Sequence, residues 1–269
     1  HVMRISGKLG WTKSRNAEHV ERDLMLMKIA APKGVRSEIL ELTEIFRGVS
    51  RACRATRGVV MALARIDIPS IVVTGGYMSV NRHRGKPIDP LTVANKHFTD
   101  FKEGRTDRRE FAQIQDRGCK GTGACPVMGT ANTMASLTEA LGLSLPGTAA
   151  TPGADSRLQR IAFAAGRRVM DLLEDDVRPS QILTEEAFAN AIRVLMATGG
   201  STNHTMHLIA IAHAAGIVLN WDDFNDLSAV VPLLARVYPN GKADINQFHA
   251  AGGCAFLFRE LIDAGLLHG

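Results

Sequence analysis

The chain has 269 residues, 45% hydrophobic and 22% charged, a composition that fits one large globular domain or two small ones. Aromatics are only 5% and do not interleave with basic residues, which speaks against nucleic acid, and the net charge of +5 fits a small anionic substrate at least as well. Four cysteines are too few for a disulfide scaffold, no apolar run reaches the roughly 18 residues of a membrane span, and His1-Val-Met-Arg lacks the apolar core of a secretory signal; the expectation is a soluble cytoplasmic protein.

Residues 1–50 are hard to place. Ala17 to Ala31 has helical periodicity through Val20, Leu24, Met27 and Ile29, Pro32-Lys-Gly34 breaks it, and Ser37 to Phe46 reads as a second helix. Residues 51–269 carry the rest of the argument. Val59 to Arg65 reads as helix and Asp67-Ile-Pro69 as a turn. Ser70 to Thr74 is a β-branched run that predicts a buried strand closing in Gly75-Gly76. In an open α/β sheet, ligands sit at such carboxyl strand ends. Asn81 to Lys86 is a basic loop, read as solvated, and Phe98 to Gln115 reads as a polar helix.

The next stretch organises the chain. Cys119 and Cys125 lie six apart in a turn containing Gly121 and Gly123, and Ala131 to Leu141 then reads as a helix. This layout sets a thiol near the positive end of a helix dipole, where the metal-binding thiolate is stabilised. The plainer reading is a small buried apolar residue, and C-x5-C is not the zinc C-x2-C spacing. Leu145 to Gly153 is a turn-rich connector. Ser156 to Leu173 is an amphipathic helix with Leu158, Ile161, Ala165, Val169 and Leu172 on one stripe. Thr184 caps a helix ending near Ala197.

Thr198-Gly-Gly-Ser201-Thr202-Asn203-His204 then opens an apolar helix reaching Ala215. Backbone N–H groups, hydroxyls and a helix dipole together suit an anion, and an ordinary capped helix start is the alternative. It is not a Walker loop, because no Gly-Lys-Ser/Thr follows. His204, His207 and His213 share this helix; with no Glu between the first two, they read as packing or substrate contact rather than metal ligands. Ile217 to Asn220 suggests a short strand and Asp222 to Val237 a helix. Ile245 to Leu267 reads as helix broken at Gly252-Gly253, and Cys254 as packing. Helices alternating with short apolar strands predict a helix-rich α/β fold, a parallel sheet flanked by helices in three layers.

Two segments resemble a known family. Cys119-Lys-Gly-Thr-Gly-Ala-Cys125-Pro-Val-Met-Gly-Thr-Ala-Asn-Thr-Met134 resembles the cluster segment of the dihydroxy-acid and sugar-acid dehydratases. Ala197-Thr-Gly-Gly-Ser-Thr-Asn-His-Thr-Met-His-Leu208 is similar to their second signature. Its Asn-His-Thr-Met-His form, Trp221 to Ser228 and Leu234 to Asn246 look most like 6-phosphogluconate dehydratase, an enzyme of gluconate metabolism in the Entner–Doudoroff route. Leu145 to Arg178 looks more like the dihydroxy-acid and pentonate enzymes. The resemblance covers roughly residues 53–269 and implies the family's N-terminal domain.

It implies dehydration of a 2,3-dihydroxy acid to a 2-keto acid, with an iron–sulfur cluster (4Fe-4S or 2Fe-2S) as Lewis acid and Mg²⁺ at the carboxylate end. By resemblance Cys125 and Cys53 are cluster ligands, Ser201, Thr202 and Asn203 line the pocket for a small anionic sugar acid, and the full-length family forms homodimers. Cys53-Arg54-Ala55-Thr56 departs from the family's Cys-Asp-Lys-Thr. Arg54 stands for a magnesium-binding aspartate and Ala55 for a lysine that is carbamylated to bind magnesium. Neither can ligate Mg²⁺. The family's carboxy-terminal domain also lies beyond this sequence. The expectations are therefore a dehydratase-type domain with little or no activity by itself, or a diverged domain that keeps only the fold.

Overall fold

A computed structural model describes residues 27–29, 52–89, 92–118 and 121–268. Its elements are β1 (Met27–Ile29), α1 (Ala52–Ile66), β2 (Ser70–Val72), β3 (Asn81–His83), β4 (Lys86–Ile88), a π-helical turn (Val93–His97), α2 (Phe98–Lys102) and α3 (Arg108–Gly118). They continue as α4 (Thr130–Ala140), α5 (Arg157–Glu174), α6 (Pro179–Ile182), α7 (Glu185–Thr198), α8 (Asn203–Ala214), α9 (Trp221–Val230), α10 (Ile245–Ala250) and α11 (Gly253–Asp263).

The centre of the molecule is α4. Every residue from Ala131 to Glu139 is buried, including the polar Asn132, Thr133, Ser136 and Thr138. A helix buried on all sides has no solvent face, so its polar side chains must find partners inside. Ser136 and Thr138 donate to the carbonyls of Asn132 and Met134 one turn back, at 3.1 and 2.7 Å. Around α4 pack α1, α7 and α8. Met134, Leu137, Leu63, Ile192 and Leu208 fill the shared core. Gly200 lets the chain cross close to α4: a Cβ there would stand 2.6 Å from Thr133 Cγ2.

The helix-rich α/β expectation holds. The parallel sheet is not what the described strands form: β1 pairs with β2 and β3 with β4, both antiparallel. Parallel contact survives as isolated bridges, from Tyr77 to Ala124 and to Pro152 and from Val237 to Ala243. The strands are three residues long, and glycine-rich loops take over where β2 ends. Met27–Ile29, placed by periodicity within a helix, is strand β1 instead; an apolar run this short fits either period, and pairing with β2 decides it. The rest of the Ala17–Ala31 and Ser37–Phe46 helices lies outside the described residues.

Asn81 to Lys86 is a hairpin rather than a loop, with Arg84 and Gly85 at positive φ in its turn. Its charge is spent locally, because Glu110 accepts from Arg84 at 2.9 Å and from His83 at 3.2 Å. Phe98 to Gln115 is two helices, parted near Gly104 at φ +72. Ile217 to Asn220 is irregular, with Val218 90% exposed. The helix expected over Asp222 to Val237 stops at Val230, since Pro232 forces Val231 into extended backbone. Thr184 caps α7 as expected, its hydroxyl accepting from the Ala187 N–H. The Gly252-Gly253 break separates α10 from α11. No helix among the described residues is long and apolar enough to cross a membrane.

Candidate active site

Three chain segments converge where β2 ends. Ala124 N–H donates to Gly76 O, Met78 N–H to Ala124 O, and Gly153 N–H to Tyr77 O, each at 2.8 Å. The approach is too close for side chains. A Cβ on Gly76 would lie 2.4 Å from Thr151 O, and one on Gly153 2.9 Å from Thr122 O. Gly76, Gly123 and Gly153 are thus one packing device. Between this stack and α1 and α4 lies a cavity of about 10 Å³, room for about one water, lined by Thr56, Thr74, Ala131 and Asn132 among others.

The stack presents Cys125, which is half-buried. Its loop is fastened by Asn132, whose amide nitrogen donates to the carbonyls of Cys125 at 2.8 Å and Val127 at 2.7 Å. Asn132 sits in the first turn of α4, so the helix that follows the cysteine holds it in place. The Sγ of Cys125 lies 3.9 Å from the Cβ position of Gly129, the N-cap of α4. The thiol therefore stands at the positive end of that helix, as the spacing predicted.

Thr130 links this end to the second motif. Its hydroxyl lies 3.2 Å from the Ser201 hydroxyl and accepts from the Asn203 amide at 2.9 Å. The Ser201 N–H donates to the Thr133 hydroxyl at 3.1 Å. The starts of α4 and α8 are thereby pinned together, with Cys125, Thr130, Ser201 and Asn203 around the junction. Ser201 is half-buried, while Thr202 and Asn203 are exposed. Two helix N-termini, with their positive dipole ends, thus meet beside a set of hydroxyls and amides.

His204 and His207 pack inward from α8, with rings 5.1 Å apart. His204 Nδ1 lies 3.1 Å from Ser201 O, which sets the proton on that nitrogen and leaves Nε2 as a buried acceptor with no hydrogen-bond partner among the described residues. Burial, with His207 and Arg57 nearby, pushes its pKa down to about 4. Arg57 on α1 donates to His207 Nδ1 at 3.1 Å, and burial with this guanidinium lowers the His207 pKa too. Both imidazoles are neutral packing groups near neutral pH. His213 is exposed.

The remaining candidates divide. Cys53 lies on α1, but its side chain is outside the described residues, as is Cys119. Cys254 is 2% exposed, and burial raises its thiol to about 12, so it is inert packing. Among the described residues no three His, Cys, Asp or Glu side chains converge on a metal position. Cys125 suits one cluster ligand by exposure and dipole. Magnesium does not fit: at Arg54 and Ala55 the sequence offers no oxygen ligand. Sequence reading missed Thr130, Asn132 and Thr133, since polar residues inside a helical run look like surface. Hydroxyls in the first turn after a glycine N-cap were the available signal.

Comparison with known proteins gives the chain its relatives. The sequence model described as "Dihydroxy-acid/6-phosphogluconate dehydratase N-terminal" matches residues 50–269. The chain is 43% identical over 234 residues to a dihydroxy-acid dehydratase of Caldanaerobacter subterraneus subsp. tengcongensis, covering 86% of this chain and 42% of that protein. It is 43% identical over 211 residues to a dihydroxy-acid dehydratase of Pyrococcus abyssi, covering 78% and 38%. With the dihydroxy-acid dehydratase of Ruminiclostridium cellulolyticum it shares 44% over 212 residues, covering 78% and 38%. The chain thus spans about two-fifths of the length of these relatives. It belongs, by this match over most of its length, to the dihydroxy-acid/6-phosphogluconate dehydratase family and carries that family's N-terminal sequence.

Proposed function

We propose that this chain is the substrate-anchoring part of a hydro-lyase that converts a 2,3-dihydroxy carboxylate to a 2-keto acid. The observation that carries the reading is the Thr130 hydroxyl, which joins the Ser201–Asn203 corner to the helix start beside Cys125. In this reading the substrate carboxylate lies at the paired N-termini of α4 and α8, where N–H groups and the dipoles favour negative charge. Ser201, Thr202 and Asn203 orient it. Cys125, with Cys53 as the second candidate, would hold an iron–sulfur cluster, which when bound supplies a Lewis acid for the departing 3-hydroxyl. The proton leaves the neighbouring C2, the enol that results takes up a proton at C3, and water is the other product. No step is assigned to magnesium.

The names of the relatives support a dihydroxy acid as the substrate class. The 6-phosphogluconate reading rests on the Asn-His-Thr-Met-His segment, Trp221 to Ser228 and Leu234 to Asn246, and the two histidines of the first are buried. The test is anaerobic purification of the chain and of Cys125→Ala, with bound iron and visible absorbance measured on both. The reading expects iron in the first and a large loss in the second; equal iron in both would refute the ligand assignment. Assaying each protein with a 2,3-dihydroxy acid and with 6-phosphogluconate checks the expectation of little or no turnover by the chain alone.

A further inference from the structure

We propose that Glu139 is a positioning residue for the Cys125 loop, acting through the Gly147–Gly153 segment that forms the outer layer of the glycine stack. This rests on the reading of Cys125 as the working thiol. Glu139 ends the buried run of α4, two turns beyond Asn132, and is 7% exposed. Its carboxylate accepts from backbone N–H groups on both oxygens, Gly147 on Oε1 at 2.5 Å and Ala149 on Oε2 at 2.8 Å, with Thr148 as a further backbone donor. Among the described residues no cation pairs with it, and burial raises its pKa. An unpaired buried carboxylate is costly, and here only backbone donors offset that cost.

What those donors secure is the site. From Ala149 the chain runs three residues to Pro152 and Gly153, which bridge Tyr77. Gly76 and Met78, on either side of Tyr77, in turn hydrogen-bond Ala124, the residue before Cys125. Gly153 also sits against Gly123, its Cβ position 3.1 Å from Gly123 Cα. The layers are Gly147–Gly153, Gly75–Met78 and Gly121–Cys125. One helix grips both outer layers, through Asn132 on the cysteine side and Glu139 on the other. A carboxylate suits this task because both its oxygens accept and the groups facing it are backbone N–H donors. Glutamine would turn an NH₂ toward one of them.

The test uses the purified chain and Glu139→Gln. The rate of Cys125 alkylation by iodoacetamide is followed by peptide mass spectrometry at one fixed pH, alongside amide exchange. Glu139→Gln is expected to speed Cys125 alkylation by about tenfold or more, the scale of one lost buried hydrogen bond. Exchange should rise in 147–153 and 121–125 while α7 keeps its protection. A Cys125 rate within about twofold of the parent, or exchange rising equally in α7, would overturn the proposal. Should the variant not fold, the chain carrying His204→Asn is acidified instead, so that protonation of that buried imidazole does not loosen the whole fold; Cys254, the titratable group beside Glu139, stays a neutral thiol throughout. Protonating Glu139 should release 147–153 before α7; loss of both together, or of neither, also overturns it. These readouts need no metal, so unchanged iron in Cys125→Ala would remove the cluster reading and leave this proposal standing.

Discussion

Replacing His204 by asparagine should remove a large part of this chain's sensitivity to mild acid. His204 is 0% exposed, and its folded pKa lies near 4 against an ordinary value of 6.5. The unfolded chain therefore takes up the proton first as pH falls. Its contribution to stability is complete above about pH 6.5 and is lost progressively down to about pH 4. The full difference, 6.5 minus about 4, corresponds to about 3 kcal/mol, of which about 2 kcal/mol is gone by about pH 5. His207 has its pKa lowered as well, so its loss runs in the same direction. Asparagine keeps a donor near Nδ1 for the Ser201 carbonyl but takes up no proton. Urea unfolding followed by circular dichroism at about pH 7 and about pH 5 measures the change in each protein. The parent should lose about 2 kcal/mol more than the variant over that interval. Identical acid slopes would show that the imidazole does not titrate out of a buried site, and the burial of His204 would fall with it.

Asn132→Leu keeps the size of the side chain and removes two donors, so the carbonyls of Cys125 and Val127 lose their buried partner. The expected cost is about 2–4 kcal/mol by denaturant titration, with faster Cys125 alkylation. Gly200→Ala places a methyl 2.6 Å from Thr133 Cγ2 and 2.9 Å from Leu195 Cδ1, and should cost about 1–3 kcal/mol in thermal unfolding. Gly58→Ala is the opposite case: nothing lies within 4 Å of the new Cβ inside α1, and about 0.5–1 kcal/mol of stabilisation is expected. Native alkylation should spare Cys254, whose thiol is buried and pushed up to about 12, and should label it once urea is added.

The sequence alone determined the elements that carry their own local signals. Thr184 with Glu185 and Glu186 marks the start of α7, the apolar stripe of Ser156–Leu173 marks α5, and Gly252-Gly253 marks a break; caps, periodicity and glycine act within a turn or two of chain. It also marked the glycine–cysteine turn and the Ser201–Asn203 start, because both lie at helix N-termini. Tertiary structure decided everything that depended on which distant segments touch. Three-residue strands hold too few residues to declare a period, so pairing made Met27–Ile29 a strand and left Ile217–Asn220 irregular. Burial turned Asn132, Thr133 and Glu139 from apparent surface residues into clamps, and Thr130 joined two motifs 71 residues apart. The physical reason is that a buried polar group must take its partner from whatever chain is packed against it, and that neighbour is fixed only when the whole core closes.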